Sequence, residues 1–274
     1  FLGLHFFAPA HVMRLVEVIR AKGTSPQTLA TAFGLARRLG KIAVEAGACD
    51  GFIGNRILTR YRQAGDVMLL EGALPWEVDA AAEGFGLAMG PYAVQDLSGL
   101  EIAWANRRRK GPPGAGSGRY VPIADRMVEE LRRLGRKSGA GWYDYDGGRA
   151  APSEAVARLV EAASAEAGIA RRGLGADEIA RRLMLAMIAE GIEILDEGIA
   201  RRPADIDLVM VHGYGFPRWR GGPMHLADAW GLRAVRDGLA ALAAEDPPSW
   251  RLPPLLDRLL AEGRALDDLN RSAS

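Results

Sequence analysis

His5 and Glu17 are the residues whose types and spacing could do acid–base chemistry. His5 is the one polar side chain in the run from Phe1 to Phe7, and Glu17 is the one charged side chain in the run from Leu15 to Ile19. Such apolar runs are typical of strands, in which alternate side chains share a face, so we expect Glu17 to point inward with its apolar neighbours. A buried carboxylate is unfavourable unless it is paired, and His5 is the obvious partner.

A chain reversal over Ala8 to Arg14, centred near His11, would place the two side chains opposite each other on paired strands. A carboxylate that orients an imidazole and stabilises its charged form is a recurring way to make a general base. A single histidine beside an apolar run is more often a core residue than a catalytic one. The spacing alone therefore leaves both interpretations open.

The elements that would position this pair begin as an α/β unit. After the two strands, Thr24-Ser25-Pro26 predicts a helix start, because hydroxyl caps precede a proline in the first turn. A helix is predicted over Gln27 to Leu39, and Lys41 to Glu45 predicts a third strand. This order of elements is typical of the last part of an α/β sheet domain, to which we assign residues 1–48.

Beyond Cys49-Asp50-Gly51 the sequence pattern becomes helical. Gly84-x-Gly86-x-x-x-Gly90 is not a dinucleotide fingerprint, because it follows a helical pattern and its last interval is one residue too long. The predicted elements are helices over Phe52 to Glu71, Pro75 to Ala82, Val94 to Trp104 and Pro122 to Leu134, and a basic loop rich in proline and glycine over Asn106 to Gly118.

The second half of the chain repeats the first. Met68 to Leu100 matches Ile194 to Leu232 in order and with small gaps. The matched positions are Asp79 with Asp207, Gly84-Phe85-Gly86 with Gly213-Tyr214-Gly215, Gly90-Pro91 with Gly222-Pro223, and Asp96 with Asp228. We predict two copies of one helical unit, in residues 49–150 and 151–274, packed as a pseudo-twofold pair. The second copy has no counterpart of His5 and Glu17, and we expect it to be structural.

Composition narrows the classes of function. With 274 residues, 35 basic and 34 acidic side chains and a net charge of +1, the chain shows no sign of nucleic acid or an anionic membrane as its main partner. Its single cysteine excludes an internal disulfide, and no apolar run reaches the roughly 20 residues that span a bilayer. We expect a cytoplasmic protein without a metal site. Because the chain begins inside a strand, we also expect a fragment of a longer protein.

Several motifs together resemble the 3-hydroxyacyl-CoA dehydrogenase family, in particular the dehydrogenase part of multifunctional β-oxidation enzymes. They are His5-Phe6-Phe7-x-Pro9, Leu15-Val16-Glu17-Val18-Ile19, Gly51-Phe52-Ile53-x-Asn55-Arg56, Met89-Gly90-Pro91, Gly135-x-Lys137-x-Gly139-x-Gly141-Trp142-Tyr143, Gly215-Phe216-Pro217 and Arg220-Gly221-Gly222-Pro223. The resemblance implies a mostly α chain. It would consist of the last strands of a Rossmann-like NAD-binding domain, followed by two repeated all-helical dehydrogenase C-terminal domains.

The resemblance also implies roles. His5 would take the hydroxyl proton of an L-3-hydroxyacyl-CoA while hydride passes to NAD, with Glu17 holding the imidazole. Asn55 would bind the reacting end of the substrate, although an asparagine at a helix start is also a common cap. Lys137 would lie near the bound cofactor, although it is equally a lysine in a solvated turn. A thiolase subunit or a second copy of the chain are the implied protein partners.

The chain departs from the family's pattern in two respects, and two alternative functions stay open. Ala8 stands where single-function members of the family have asparagine, and the family's glycine-rich loop and catalytic serine are absent from these residues. We therefore expect the chain alone to bind NAD poorly and to turn over little. One alternative is a non-catalytic helical module for dimerisation or docking. The other is a 6-phosphogluconate-type or other 3-hydroxyacid dehydrogenase with a similar all-helical second domain, which the His-Phe-Phe motif and the duplication disfavour.

Overall fold

The computed structural model describes residues 1–111 and 119–271. The chain divides into two compact units, residues 1–60 with 184–274 (unit 1) and residues 61–183 (unit 2). Most of the described chain is helical, with few strands, as the resemblance implied. The three-part division predicted from the sequence, at residues 48 and 150, stays a prediction. None of the described helices combines the length and the apolarity needed to cross a membrane.

Unit 1 contains a three-stranded sheet of β1 (Gly3–Phe6), β2 (Leu15–Arg20) and β3 (Ile42–Gly47). The central strand, β2, pairs antiparallel with β1 and parallel with β3. The parallel pairing requires a crossover, which α1 (Pro26–Arg38) supplies. As predicted, Ser25 caps this helix, and its hydroxyl accepts the N–H of Thr28 at 3.2 Å.

Most of the remaining elements in the two units are α-helices. They are α2 (Gly54–Glu71), α3 (Pro75–Phe85), α4 (Pro91–Ser98), α5 (Leu100–Lys110), α6 (Ile123–Glu129), α7 (Glu154–Glu166), α8 (Ala176–Asp196), α9 (Pro203–Gly213), α10 (Pro223–Trp230), α11 (Leu232–Glu245) and α12 (Pro254–Glu262). The boundaries between the two units fall within α2 and α8.

Three predicted elements of unit 2 differ from the observed ones. The helix predicted over Pro122 to Leu134 ends at Glu129. The single helix predicted over Val94 to Trp104 is two helices, α4 and α5, because Gly99 adopts a φ of +94° that ends the first. Helix α5 continues to Lys110, so the predicted basic loop does not begin at Asn106. Residues 112–118 of that predicted loop lie outside the described residues.

Unit 2 also contains a hairpin that the sequence patterns did not predict. Strands β4 (Tyr143–Asp146) and β5 (Arg149–Pro152) pair antiparallel. The two residues between them, Gly147 and Gly148, have φ values of +54° and +85°. A two-residue hairpin turn with positive φ at both positions favours glycine, which explains the Asp-Gly-Gly sequence there.

The same helix-start contact occurs in each unit. Asp79 in α3 accepts two backbone N–H groups at the start of α4, both at 2.8 Å. Asp207 in α9 accepts two at the start of α10, at 2.8 and 3.1 Å. A Cβ atom added to Gly90 or to Gly222 would lie 2.3 Å from the nearest atom of these aspartates. The close approach explains why each Gly-Pro pair starts with glycine.

Candidate functional site

The candidate site is built on the pairing of β1 with β2. His5 lies directly opposite Glu17 in the antiparallel register, as the predicted chain reversal requires. The imidazole Nδ1 lies 2.7 Å from Oε2 of Glu17. The His5 side chain is 28% exposed, whereas Glu17 is fully buried at 0%. An accessible imidazole is therefore held by an inaccessible carboxylate.

The second oxygen of Glu17 is held by the start of α2. Oε1 accepts the backbone N–H groups of Ile53 at 3.1 Å and of Gly54 at 3.0 Å. Helix N-terminal N–H groups stabilise negative charge, so these bonds compensate the burial of the carboxylate. With both oxygens accepting, Glu17 requires a proton on Nδ1 of His5. The neutral imidazole then has its lone pair on Nε2, which is the arrangement of a base.

Two phenylalanine rings flank the imidazole. The ring centroids of Phe7 and Phe52 lie 4.9 and 5.5 Å from that of His5. Phe52 has a φ of +49° and follows Gly51, whose φ is +84°. A positive φ is strained for a bulky residue and is found where the surrounding structure needs it. Here it brings the Phe52 ring to His5 immediately before the N–H groups that bind Glu17.

Asn55 lies next to this helix start, exposed in the first turn of α2. Its Oδ1 accepts the hydroxyl of Tyr214 at 2.9 Å. The Tyr214 ring also meets Phe7 edge-on, with centroids 5.4 Å apart and an interplanar angle of 89°. The structure thus brings His5, Glu17 and Asn55 into one region of unit 1. Tyr214 belongs to the part of the chain that we expected to be only structural.

Sequence reasoning assigned no role to Phe7, Phe52 or Tyr214. The first two were visible as members of the His-Phe-Phe and Gly-Phe-Ile motifs. Tyr214 was visible only as a member of the repeat, where it matches Phe85. That difference of one hydroxyl was the available signal, and its contact with Asn55 requires the fold.

Lys137 lies in unit 2, in a 3₁₀ turn over Arg136–Ser138. Its side chain is 61% exposed and forms an ion pair with Glu101 of α5. The hydrogen bond from Lys137 lowers the pKa of Glu101 below its usual value. The structure does not group Lys137 with the His5 region within one unit. Its role in cofactor binding stays a prediction.

Arg56 anchors the first turn of α2 to α8 within unit 1. Its guanidinium donates to Glu190 at 2.7 Å and to Glu197 at 3.1 Å. Burial alone would lower the pKa of Arg56, but the two carboxylates hold that pKa above its usual value. The start of α2 carries Asn55 and binds Glu17. It is therefore held in place by the two ion pairs of Arg56, the residue after Asn55.

The arrangement around His5 can accept a proton from a group bound beside it. A histidine with a free Nε2 is a proton acceptor of the kind that the oxidation of an alcohol requires. Neither the loop after β2 nor the loop after β3 has the G-x-G-x-x-G pattern that binds a pyrophosphate. Within residues 1–111 and 119–271, no three His, Cys, Asp or Glu side chains are grouped as metal ligands.

Comparison with known families gives matches over nearly all of the chain. The C-terminal domain of 3-hydroxyacyl-CoA dehydrogenase matches residues 51–145 and 179–269. The NAD-binding domain of the same enzyme matches residues 1–49. The motifs that suggested the resemblance therefore lie in a chain that matches the family as a whole.

Individual relatives agree with this result. The peroxisomal bifunctional enzyme of Danio rerio is 42% identical over 95% of this chain, and the fatty acid oxidation complex subunit alpha of Acinetobacter baylyi is 36% identical over 85%. The chain spans 38% and 33% of the lengths of these two relatives. Among solved structures, the dehydrogenase part of multifunctional enzyme 1 from C. elegans is similar to this chain, with a TM-score of 0.71 and 28% sequence identity. The match covers 94% of this chain and 59% of the C. elegans chain. This chain belongs to the 3-hydroxyacyl-CoA dehydrogenase family.

Proposed function

We propose that the protein carrying this chain oxidises L-3-hydroxyacyl-CoA to 3-oxoacyl-CoA in fatty-acid β-oxidation, with His5 as the general base. The observation that carries the proposal is the 2.7 Å contact between Nδ1 of His5 and the fully buried Glu17. Nε2 of His5 takes the proton of the substrate hydroxyl as the C3–H bond breaks. Removing that proton as hydride leaves avoids a protonated ketone.

Glu17 acts through His5. It keeps the proton on Nδ1 before the reaction and stabilises the imidazolium that forms afterwards. Because its own charge is balanced by two N–H groups at the start of α2, it does not need to take the proton itself. The pair therefore gains one proton per turnover, and that proton resides on Nε2.

Asn55 supplies a donor to the reacting oxygen. An amide N–H directed at the C3 oxygen stabilises the charge that accumulates there as the O–H bond weakens. Tyr214 occupies the oxygen end of this amide. The nitrogen end is then the end that faces the substrate.

NAD, when bound, accepts the hydride. The match of residues 1–49 to the NAD-binding domain of the family supports this choice of cofactor. Lys137 is proposed to contact the cofactor, in which case it exchanges its ion pair with Glu101 for that contact. Because these residues contain no pyrophosphate cradle, we expect the isolated 274-residue chain to turn over little substrate.

The proposed activity goes with a proposed domain organisation. We propose that residues 1–48 are the last strands of a Rossmann-like domain, followed by two repeated helical domains at 49–150 and 151–274. The double match of one C-terminal domain model and the repeated aspartate contacts support the duplication.

The proposed protein partners are a thiolase subunit or a second copy of the chain. The Danio rerio relative is named as peroxisomal, so we propose that compartment in place of the cytoplasm predicted from the sequence.

The test replaces His5 with Gln in the full-length protein, with L-3-hydroxybutyryl-CoA and NAD as substrates. Loss of a general base lowers kcat by roughly 100- to 10,000-fold, measured as NADH absorbance. The matched control is His11→Gln, on the exposed link between β1 and β2, which should keep wild-type kcat. A His5→Gln protein with unaltered turnover would favour the docking module, which predicts unchanged association with partners and no role for His5.

A further inference from the structure

We infer that Tyr214 is a positioning residue for the Asn55 amide, supplied to the candidate site by the C-terminal half of the chain. The inference rests on the proposed function, because it concerns how Asn55 meets the reacting oxygen. Tyr214 follows α9 directly, far from Asn55 in sequence, and both residues lie in unit 1. Its hydroxyl reaches Oδ1 of Asn55 at 2.9 Å.

The Tyr214 ring is located by contacts on two further sides. A Cβ atom added to Gly54 would lie 2.4 Å from Cε2 of Tyr214, so the ring packs directly on the backbone at the start of α2. The edge-on contact with Phe7 places it against the residue whose ring centroid lies 4.9 Å from that of His5. Because both ring contacts are with parts of the site itself, the hydroxyl is set relative to Asn55 rather than free to swing.

The hydroxyl contact decides which end of the amide faces the substrate. An asparagine amide presents an acceptor at Oδ1 and two donors at Nδ2, and rotation by half a turn exchanges them. The structure has the Tyr214 hydroxyl donating to Oδ1, which directs Nδ2 away from the phenol. Without that bond the amide can turn its oxygen toward the reacting oxygen, where two acceptors repel.

The repeat shows that the hydroxyl is particular to this copy. Tyr214 aligns with Phe85 between the same glycines, so the first copy keeps the aromatic ring and lacks the hydroxyl. A ring alone would satisfy the packing on Gly54 and Phe7. The added oxygen is needed for the contact with Asn55, which gives the predicted second copy a function in the site as well as a structural one.

A double-mutant cycle in the full-length protein tests the inference. Tyr214→Phe removes one hydrogen bond and should lower kcat by about 2- to 10-fold, as expected from the net value of a neutral hydrogen bond, and should leave the KM for NAD unchanged. In an Asn55→Ala background the same change should lower kcat no further, because the amide that it positions is absent. Asn55→Asp, which keeps an acceptor for the phenol and loses the donor, should be at least as slow as Asn55→Ala.

The outcomes separate this inference from the proposed function. Tyr120→Phe, which removes a hydroxyl hydrogen bond to Asp125 in unit 2, is the matched control and should keep wild-type kcat. If His5→Gln abolishes turnover while Tyr214→Phe is equally harmful with and without Asn55, Tyr214 is only structural and the inference is wrong. A harmless Asn55→Ala would overturn it as well. If His5→Gln leaves turnover intact, the proposed function itself fails.

Discussion

Glu17 determines which nitrogen of His5 carries a proton. One of its oxygens accepts a hydrogen bond from the imidazole, and the other accepts two from the start of α2. Because the carboxylate only accepts, the hydrogen between Glu17 and His5 is on Nδ1. The consequence is a single tautomer with the lone pair on Nε2. A neutral, isosteric replacement changes that tautomer with little change in shape, which makes it a sharper probe than truncation.

Glu17→Gln should lower kcat by about 100-fold or more. The glutamine oxygen can still accept from Ile53 and Gly54, and its NH₂ group then donates to Nδ1 of His5. That donation moves the imidazole proton to Nε2, where the base is needed, as in triads whose carboxylate is replaced by an amide. Steady-state kinetics of NADH formation in the full-length protein measure the effect.

The control for Glu17→Gln is Glu45→Gln, on the neighbouring strand and paired with Arg20 at 2.6 Å. It removes a carboxylate charge from the same sheet and should leave kcat near wild type. Equal losses for the two variants would mean that charge on the sheet matters rather than the tautomer of His5.

At the residue scale the register of His5 and Glu17 followed from sequence, because strand alternation and the length of the intervening link fix which residues face each other. The positions of Phe52 and Tyr214 did not follow. The Phe52 ring depends on a positive φ that no side-chain pattern encodes. The Tyr214 contact joins residues 159 positions apart, which only the complete fold brings together.

At the scale of elements, the start of α2 is the part of the structure on which the candidate site depends. Its first N–H groups bind Glu17, its second residue is Asn55, and Arg56 ties it to α8. Gly54 is the position where backbone and aromatic ring approach most closely, because Cε2 of Tyr214 occupies the space of a Cβ atom. A methyl group there must displace the ring or the helix start.

Gly54→Ala should therefore lower kcat by about tenfold or more, since loss of position by about an ångström at a reacting centre is costly. The matched control is Gly34→Ala in α1, where an added Cβ atom meets no atom within 4 Å. Alanine in a helix interior should raise the free energy of unfolding there by about 0.5–1 kcal/mol without affecting kcat. Kinetics and thermal unfolding of both variants check this; wild-type kcat in Gly54→Ala would show that the contact is dispensable.

The elements also show where sequence patterns stop being informative. Helix starts with hydroxyl caps or proline, as at α1 and α3, were found close to their predicted positions. The break at Gly99 was missed because a glycine within a helical pattern is compatible with either continuation or termination. The β4–β5 hairpin was missed because Arg149–Pro152 has no apolar alternation and is exposed throughout.

At the scale of the whole molecule, unit 1 is made from both ends of the chain. Residues 1–60 supply the sheet and the start of α2, and residues 184–274 supply the end of α8 and the helices after it. Arg56 is a main charged contact between these two segments. Glu190 is only 8% exposed, and Arg56 at 2.7 Å is a nearer cation to its carboxylate than Arg60 at 3.7 Å.

Arg56→Met should lower the free energy of unfolding by about 1–3 kcal/mol, because it leaves a buried carboxylate with fewer donors. Arg258→Met is the control, since Arg258 pairs with Asp196 of the same helix α8 at an exposed position. Exposed pairs contribute about 0–1 kcal/mol, so this variant should remain close to wild type. Urea unfolding of both proteins measures the difference, and equal stabilities would show that Arg56 is not an anchor.

The composition of unit 1 has a consequence for how the protein is made. The N–H of Gly47 at the end of β3 donates to the carbonyl of Ile199 at 2.8 Å, and Asn55 and Arg56 meet partners between residues 190 and 214. None of these partners has been synthesised when the first strands leave the ribosome. The hydrogen bond at the end of β3 therefore forms only after residue 199 has been synthesised, and the contacts of Asn55 and Arg56 form only after their own partners. A stop codon that removed residues 190–214 would therefore disturb the surroundings of His5, although His5 is encoded far upstream of it.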